Sequence, residues 1–514
     1  MRITAPHLLC VLLLLAGLGA GCGGGGDQPL PSTDPVWYDD LLGRGDDAPT
    51  GWPDAAACSP LDRVGGRGGD LVVALGQAVS PEQAPVPRTD AERIVFAACY
   101  ETLTRVACTG ELLVGLAEAW EPLDGGRRWR LHLREDAVFW DGTPVTALDV
   151  VQAWTRNLEA TRLFARPCPG LWLQPGGGGI TARGAHDLEI RLAEPQADLA
   201  RLLAHPALAV AVRRVGWLWP VGSGPCRLAA DADLPLPELM LRPNPHHPRP
   251  PRWRSLTVRV LPGADPRDLL GAGVDLAVVR DRRALDYYAG LGDVHRAPLP
   301  WDRKYVLLLS PTHEVAPGAV ARLAAAEVTV ADSRRTDRLT FRRCGKEGCP
   351  QLHGPTVSVF SPPLDPDPTL ADVRPGRLYH LQDDPDAAAL AARIVAGLLP
   401  DLQAVAVPAT ELARSLQDEE GAAYVVRLDA CYPSSCLTLA ALLAHGHWLQ
   451  ATLPDELSDP DEAAHRLLAS GCAVPLADTR ATLLWRGPLA SLALAHDGTP
   501  LLSTLAVAEG EASP

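Results

Sequence analysis

The twelve cysteines are the residues of this chain whose type and spacing could do chemistry. Two of them, Cys10 and Cys22, lie at the N-terminal end, which leaves an even number in the rest of the chain. An even number of cysteines in an exported protein favours disulfides. The spacings of Cys344–Cys349 and Cys431–Cys436 suit small loops, and Cys99–Cys108 is a third candidate pair. None is a Cys-x-x-Cys pair with zinc-spaced histidines beside it, so we expect no metal site and no cofactor.

Residue patterns typical of hydrolases are absent from the sequence. There is neither a Gly-x-Ser-x-Gly elbow nor a His-Glu-x-x-His helix. The stretch Gly222–Pro225 contains a serine between glycines but lacks the spacing of the elbow. His246 and His247 stand in a Pro-rich loop, where we expect them to be solvated. We therefore predict no catalytic residues and no enzyme activity, and we keep a secreted hydrolase as the weakest alternative.

The N-terminus predicts export. Arg2 precedes a short apolar run over 8–18, which is typical of a secretory signal peptide and too short for a comfortable membrane span. The segment that ends at Cys22 resembles a bacterial lipoprotein box, which implies acylation of Cys22. Gly19 occupies the place where that box usually has Leu, so ordinary signal cleavage is the alternative. The glycines at 23–26 would then form a flexible tether.

Length and charge limit the classes of protein to consider. A chain of 514 residues predicts two or more domains. The net charge of −15 argues against a nucleic-acid partner, which requires a basic surface.

The elements that must position any site alternate between strands and helices. The sequence predicts helices over 89–103, 112–120, 146–158, 199–203, 385–399, 409–418 and 461–469. It predicts strands over 69–75, 129–133, 138–140, 188–192, 256–260, 356–360, 378–381 and 424–428. Residues 23–68 are rich in Gly, Pro and Asp and predict a linker with little fixed structure. The alternation favours α/β lobes.

A series of short motifs resembles one family in a fixed order. The matching stretches are Tyr100–Leu103, Gly110–Glu121, Asp124–Arg134, Phe139–Val150, Gly222–Cys226, Arg242–Asn244, Pro251–Leu256 and Gly273–Asp275. Together they resemble the extracytoplasmic solute-binding proteins of family 5, which serve peptide- and nickel-type ABC importers. Several motifs also have a local reason. Asp141-Gly142 suits a tight turn, Thr146 and Asp149 suit a capping box, and Gly222 and Gly224 permit close backbone approach.

The resemblance implies a two-lobed periplasmic-binding-protein fold of type II, large peptide-binding class, with a cleft between α/β lobes. We expect a signal peptide at 1–22 and a linker at 23–68. Lobe I should combine 69–302 with 476–506, including a smaller subdomain near 90–200. Lobe II should cover 303–475.

The ligand residues implied by the resemblance lie late in the chain. Peptide binders of the family carry a Trp-x-x-Asp-Tyr motif whose Asp pairs with the α-ammonium of the peptide. Aligned on Tyr432, this chain has Cys431 at the Asp position and Leu428 at the Trp position. Asp429, two residues before Cys431, would lie on the same strand face. The predicted ligand residues are Asp429, Cys431, Tyr432, Ser434, Trp301 and Asp302.

The function implied by the resemblance is capture of a small solute, most naturally an oligopeptide. The protein would be a monomer, lipid-anchored outside the cytoplasm, and would deliver its ligand to an ABC permease. The alternative is a binding-protein-like lipoprotein that no longer serves transport and acts in sensing or envelope assembly.

Overall fold

Two large β-sheets, joined by neighbouring chain crossings, form the framework of the protein. The computed structural model describes residues 55–62, 69–163, 179–192, 195–196, 198–229, 238–310, 332–336, 339, 376–397, 399–431, 435–450 and 460–507. The predicted signal peptide, Cys22, the Cys344–Cys349 pair and the predicted strand at 356–360 lie outside these residues.

Helices and strands alternate through the described residues, as expected for an α/β protein. The helices are α1 Ala55–Cys58, α2 Asp90–Cys99, α3 Ala147–Leu163, α4 Leu199–Leu202, α5 Arg282–Ala289, α6 Pro385–Gly397, α7 Ala409–Gln417, α8 Ser435–Leu443, α9 His447–Gln450 and α10 Pro460–Ser470. The strands of the first half are β1 Leu61–Asp62, β2 Asp70–Leu75, β3 Thr104–Val106, β4 Leu112–Val114, β5 Ala117–Leu123, β6 Arg128–Leu133, β7 Gly179–Ala182, β8 Asp187–Arg191, β9 Ala211–Val212, β10 Val221–Gly222, β11 Cys226–Leu228 and β12 Glu238–Pro243. The later strands are β13 Ser255–Val260, β14 Leu276–Val279, β15 His295–Pro298, β16 Arg303–Leu309, β17 Asp332–Arg335, β18 Gly376–Leu381, β19 Leu402–Val407, β20 Ala423–Asp429, β21 Ala473–Arg480, β22 Thr482–Trp485, β23 Leu489–Leu492 and β24 Ala506–Val507. No helix among the described residues has the length and apolar character needed to cross a membrane.

The first large sheet has seven strands in the order β11-β12-β13-β2-β14-β22-β15. Its centre is parallel, with Ser255 opposite Asp70 and Leu276 opposite Val73. The central strands are rich in Val, Leu and Ala, which is typical of a sheet covered on both faces.

The second large sheet has six strands in the order β17-β21-β16-β20-β18-β19. Every residue of β16 is buried between β20 and β21, including Arg303 and Lys304. Buried charged side chains need charged partners, so this strand marks a place where ion pairs must form.

The chain passes between the two sheets at two adjacent places. The first crossing follows Pro298 and ends at Arg303, and the second lies between Arg480 and Thr482. A hydrogen bond from Leu299 N to Ala481 O, 2.9 Å long, joins the crossings. Strand β21 continues in the six-stranded sheet to Arg480, past the predicted end of lobe II at 475. The lobe boundaries themselves stay a prediction.

The predicted helix at 112–120 is wrong. This segment forms β4, which pairs with the preceding strand β3, and the start of β5, which pairs with the following strand β6. Leu116 N donates to Thr102 O at 3.0 Å, and a Cβ on Gly115 would lie 2.4 Å from the same oxygen. Long-range backbone pairing therefore overrides the local helical pattern.

The predicted strand at 138–140 is reduced to one bridge, between Val138 and Pro144. The chain reverses immediately afterwards at Gly142, whose φ of 87° suits glycine. This reversal leaves no room for a longer ladder.

Part of the predicted linker has regular structure. Residues 55–62 form α1 and β1, and Leu61 of β1 pairs with Leu492 of β23. A disulfide joins Cys58 to Cys108. The suggested Cys99–Cys108 pair is therefore wrong, and Cys99 is a buried thiol.

Three local predictions from the motifs are confirmed. Thr146 Oγ1 and Asp149 Oδ2 cap the start of α3 reciprocally, because Thr146 N donates to Asp149 at 2.9 Å and Asp149 N donates to Thr146 at 3.4 Å. A Cβ on Gly222 would lie 2.2 Å from Cys99 O, and one on Gly224 would lie 2.5 Å from Cys99 C. Only glycine permits this approach of two backbones.

Candidate ligand-binding site

Four of the predicted ligand residues meet where the chain first enters the six-stranded sheet. Asp302 O accepts a hydrogen bond from Ala430 N at 2.8 Å, and Arg303 stands opposite Asp429 in the β16–β20 ladder. The pairing of these strands brings Trp301 and Asp302 close to Asp429 and Cys431. The other two predicted residues, Tyr432 and Ser434, lie outside the described part of the chain.

The carboxylate of Asp302 is buried and held by two arginines. Arg93 Nη2 donates to its Oδ2 at 3.0 Å, and Arg280 Nη1 donates to its Oδ1 at 3.0 Å. Both guanidinium groups also contact Asp90, at 3.0 Å from Arg93 and 2.7 Å from Arg280. Asp302 therefore joins the first turn of α2 to the end of β14.

Asp429 belongs to the same network from the other side. Arg427 Nε lies 3.0 Å from its Oδ1, and Arg303 Nε lies 3.7 Å from the same atom. Arg427 also bonds Asp384 at 2.9 Å, and the hydroxyl of Tyr305 donates to Asp384 at 2.9 Å. Charged groups on β16 and β20 thus continue the network into the six-stranded sheet.

We call this network the charged cluster. Its members are Asp90, Arg93, Arg280, Asp302, Arg303, Asp384, Arg427, Asp429 and Asp497. Five carboxylates face four guanidinium groups, which leaves a formal charge of −1. A buried cluster with one excess negative charge is complementary to a cation.

The arginines lower the pKa of three carboxylates of the cluster, Asp90, Asp384 and Asp497. Burial alone would raise the pKa of Asp90, but Arg280, Arg303 and Arg93 together hold this pKa well below its usual range. The pKa of Asp384 is likewise lowered, because Arg427 and Arg303 outweigh the effect of burial. Arg93 has the same influence on Asp497 and lowers its pKa.

Cys431 contacts a histidine from a distant part of the chain. Its Sγ lies 3.1 Å from His205 Nε2. His205 Nδ1 accepts a hydrogen bond from Ala207 N at 3.1 Å, so the proton of this neutral ring resides on Nε2 and is donated to the sulfur. His496 Nε2 donates to Cys431 O at 3.0 Å. Two histidines therefore contact Cys431.

Trp301 lies under two arginines. The guanidinium carbons of Arg334 and Arg480 are 4.4 and 4.3 Å from its ring centroid. These are cation–π distances, so both arginines stabilise the position of the indole ring. Each arginine also has an acidic partner, because Arg334 bonds Asp478 and Arg480 bonds Asp332.

The sequence reasoning missed His205, His496 and the arginines of the charged cluster. One signal for the arginines was present, since Arg427 interrupts the apolar run of β20 and Arg303 begins the apolar run of β16. A charge within a buried strand predicts a partner but does not identify it. The histidines carried no comparable signal. Among the described residues, no group of three or more His, Cys, Asp and Glu side chains is arranged to hold a metal ion.

Comparison with known proteins finds similarity to one family over part of the chain. Residues 111–273 match the family model described as bacterial extracellular solute-binding proteins, family 5 Middle. The periplasmic oligopeptide-binding protein OppA of Escherichia coli is 32% identical over 164 residues, which are 28% of this chain and 29% of OppA. The periplasmic murein peptide-binding protein MppA of the same organism is 32% identical over 123 residues, which are 21% of this chain and 22% of MppA. The matched stretches therefore span less than a third of these curated relatives.

Solved structures extend the likeness to most of the chain. The periplasmic binding protein DppA of Helicobacter pylori, in complex with the peptide STSA, has a TM-score of 0.61 at 14% identity and covers 86% of this chain and 99% of its own. NikA of Brucella suis, in complex with Fe(III)-EDTA, has a TM-score of 0.62 at 18% identity and covers 85% of this chain and 99% of its own. The predicted fold class, the type II peptide-binding class of periplasmic binding proteins, is confirmed.

Proposed function

We propose that this chain, which belongs to the bacterial extracellular solute-binding proteins of family 5, captures a peptide or peptide-like solute outside the cytoplasm and delivers it to an ABC permease. It would act as a monomer, without catalysis, and acylation of Cys22 would keep it at the membrane. Closure around the ligand would distinguish the loaded form from the empty form.

The observation that carries the proposal is the position of Asp429 within the charged cluster, with Cys431 two residues further along the chain. These residues lie at the junction of the two large sheets, next to the crossing at Trp301 and Asp302. The cluster has one excess negative charge, which the α-ammonium group of a peptide would compensate. Asp429 is the natural partner because its side chain is 19% exposed and faces two guanidinium groups, whereas that of Asp302 is 6% exposed. Asp90 is 18% exposed but faces three guanidinium groups.

The family's usual partner for the peptide amine is replaced by Cys431. A neutral thiol that accepts a hydrogen bond from His205 does not neutralise an ammonium group. We therefore assign the amine to Asp429, two residues earlier, and assign Cys431 and His205 to closing that end of the site. Peptide is the favoured solute class because OppA and MppA are named for peptide binding.

The proposal is tested by thermal unfolding of the purified protein with di- to pentapeptides, Fe(III)-EDTA and oligosaccharides. A ligand that binds only the folded protein stabilises it by about 2.7 kcal/mol at a hundred times its Kd. Asp429→Asn should reduce the peptide-induced rise in Tm, measured against the Tm of the variant alone. Asp70→Asn is the matched control, because Asp70 pairs with Arg254 on the surface, away from the cluster.

A rise in Tm with peptides that Asp429→Asn abolishes and Asp70→Asn retains would support the proposal. A rise with peptides that is equal in both variants would contradict the assignment of Asp429. A response to Fe(III)-EDTA or oligosaccharide alone would replace peptide as the solute class. If no ligand changes the Tm, the transport function is contradicted and the sensing or envelope role is favoured.

A further inference from the structure

Two buried cysteines lie where helix α2 ends against strand β11. Cys99 is the last residue of α2, and Cys226 is the first residue of β11. Both residues are 0% exposed, and both are thiols in the structure. Neither belongs to the Cys58–Cys108 disulfide or to the candidate ligand-binding site.

The chain that leads into Cys226 lies directly against the backbone of Cys99. Gly224 N donates to Cys99 O at 3.0 Å, and a Cβ on Gly224 would lie 2.5 Å from Cys99 C. Cys226 follows Gly224 by two residues, which is about 7 Å along a strand. Helix α2 and strand β11 are also in contact with each other. The backbones of the two cysteines are therefore neighbours in the fold.

The side chains of the two cysteines enter the same hydrophobic core. In β11, Cys226 and Leu228 are buried whereas Arg227 between them is half-buried, so the side chain of Cys226 lies on the core face of the strand. Burial raises the pKa of Cys226, and the negative charge of an ionised Cys99 raises it further, which indicates that the two sulfur atoms are close.

We propose that Cys99 and Cys226 form a second disulfide in the protein outside the cytoplasm. Disulfides form and persist in that environment, and the Cys58–Cys108 bond already closes in the same half of the chain. The new bond would join the C-terminal end of α2 to β11. Asp90 and Arg93 of the charged cluster lie at the other end of α2, so the bond would fix the helix that carries them.

The oxidation needs an external disulfide, supplied by an exported thiol–disulfide oxidoreductase or by oxidised glutathione. The thiolate of one cysteine attacks this disulfide, forms a mixed disulfide and releases one thiolate of the oxidant. The thiolate of the other cysteine then attacks the sulfur of the first, which closes the bond and releases the second thiolate. The oxidant thus gains the two electrons and the two protons that the cysteines lose.

The bond would have to close during folding. Burial raises the pKa of both thiols in the folded chain, so both stay protonated there. A protonated thiol is a poor nucleophile, and the core also excludes the oxidant. Exchange therefore takes place before the end of α2 packs against β11.

The test maps the disulfides of the full chain. One sample is purified after export to an oxidising compartment, and another is reduced, unfolded and refolded with reduced and oxidised glutathione. Remaining thiols are blocked with iodoacetamide in denaturant, and the chain is digested without reduction for mass spectrometry. We expect a peptide pair that links Cys99 to Cys226, and the pair that links Cys58 to Cys108 is the internal control.

Alkylated Cys99 and Cys226 would overturn the proposal, whether or not Cys58 is linked to Cys108. A bond from either residue to another cysteine would overturn it as well. The linked peptide pair in either sample would support it, and this result requires no variant that has to fold.

A second readout is the fall in Tm when the protein is reduced in denaturant and refolded in reductant. This fall should be larger in the parent chain than in Cys99→Ala/Cys226→Ala, because the parent loses one more bond. Cys472→Ala, which alters a half-buried thiol, is the matched control and should show the fall of the parent. An equal fall in the parent and the double variant would overturn the proposal.

Discussion

Cys431 Sγ lies 3.1 Å from Nε2 of His205, a residue 226 positions earlier in the chain. The contact joins the end of β20 to the turn at Pro206–Leu208, and His205 also caps that turn. The same imidazole therefore has two separable roles. Nδ1 accepts a hydrogen bond from the local backbone, and Nε2 contacts the sulfur of Cys431.

Substitution of His205 should separate these roles. His205→Ala removes the acceptor for Ala207 N and should lower the free energy of unfolding by about 1 kcal/mol. His205→Asn keeps an acceptor near that N–H and should recover most of the loss, while it no longer reaches Cys431. Denaturant unfolding of the two variants measures the difference. Equal destabilisation by both changes would contradict a capping role.

Gly222→Ala should be strongly destabilising. The added Cβ would lie 2.2 Å from Cys99 O, so two backbone segments must separate. We expect a loss of about 3 kcal/mol or more in the free energy of unfolding, which is at the upper end for single changes. Gly179→Ala is the control, because a Cβ there meets nothing within 4 Å. Similar midpoints of urea unfolding for the two variants would contradict this close approach of the two backbone segments at Gly222.

Substitution of a buried arginine should lower the free energy of unfolding more than substitution of an exposed one. Arg303→Met removes one of the three guanidinium groups that contact Asp90, the one at 2.8 Å, from a buried environment. Removal of one member of a buried ion pair typically costs about 3–5 kcal/mol. Arg254→Met, which breaks the exposed pair with Asp70, should give no measurable change. Comparable unfolding curves for the two variants would contradict the importance of the charged cluster.

Stability should fall in acid because of the same cluster. The pKa values of Asp90, Asp384 and Asp497 are lowered below the ordinary value of 3.8, so the unfolded chain binds more protons than the folded one in this range. Their stabilisation is complete above pH 3.8 and is lost as the pH falls through the lower folded values.

Asp497→Asn tests this pH dependence, because it removes one carboxyl group with a lowered pKa. The free energy of unfolding of this variant should depend less steeply on pH in the acid range than that of the parent chain. Asp286→Asn, at an exposed ion pair with Arg282, should leave the slope unchanged. Unfolding curves collected at a series of acid pH values give both slopes. A slope for Asp497→Asn that equals that of the parent would contradict the role of this carboxylate.

The Cys58–Cys108 disulfide should stabilise the folded chain, because it restricts the conformations that the unfolded chain can adopt. It closes a loop of 50 residues, for which chain-entropy arguments give about 4 kcal/mol. Cys58→Ser/Cys108→Ser should lower the free energy of unfolding by an amount of this order. Cys472→Ser, which alters a half-buried thiol outside this bond, should have a much smaller effect. Mass mapping of a peptide that links Cys99 to Cys108 would contradict the pairing.

The sequence predicted the parts of this protein that depend on neighbouring residues. Thr89 caps α2 by accepting from Glu92 N, Gly142 reverses the chain, and Thr146 with Asp149 caps α3, as local chemistry requires. The helix predicted at 112–120 failed because the pairing of this segment with residues 102–106 is not local. The three later helices that were predicted, at 385–399, 409–418 and 461–469, agree with the structure within two residues at each end.

The candidate site could be predicted only in part. The antiparallel pairing of β16 with β20 brings the residues just before β16, Trp301 and Asp302, close to the end of β20. Asp429 and Cys431 lie at that end. Their partners could not be foreseen, since the pair Arg303–Asp90 joins residues 213 positions apart. Such pairs depend on the packing of whole sheets, and one sequence contains no record of that packing.

The Cys58–Cys108 disulfide also determines how the protein carries mechanical load. Tension applied to the chain upstream of residue 55 reaches Cys58 and passes through the covalent bridge to Cys108. The segment between them, which contains β1, β2 and α2, bears almost none of that tension because the bridge limits its extension. Pulling on the N-terminus therefore leaves the central strand β2 and the Asp90–Arg93 turn in place, and the force enters the fold at Cys108 instead.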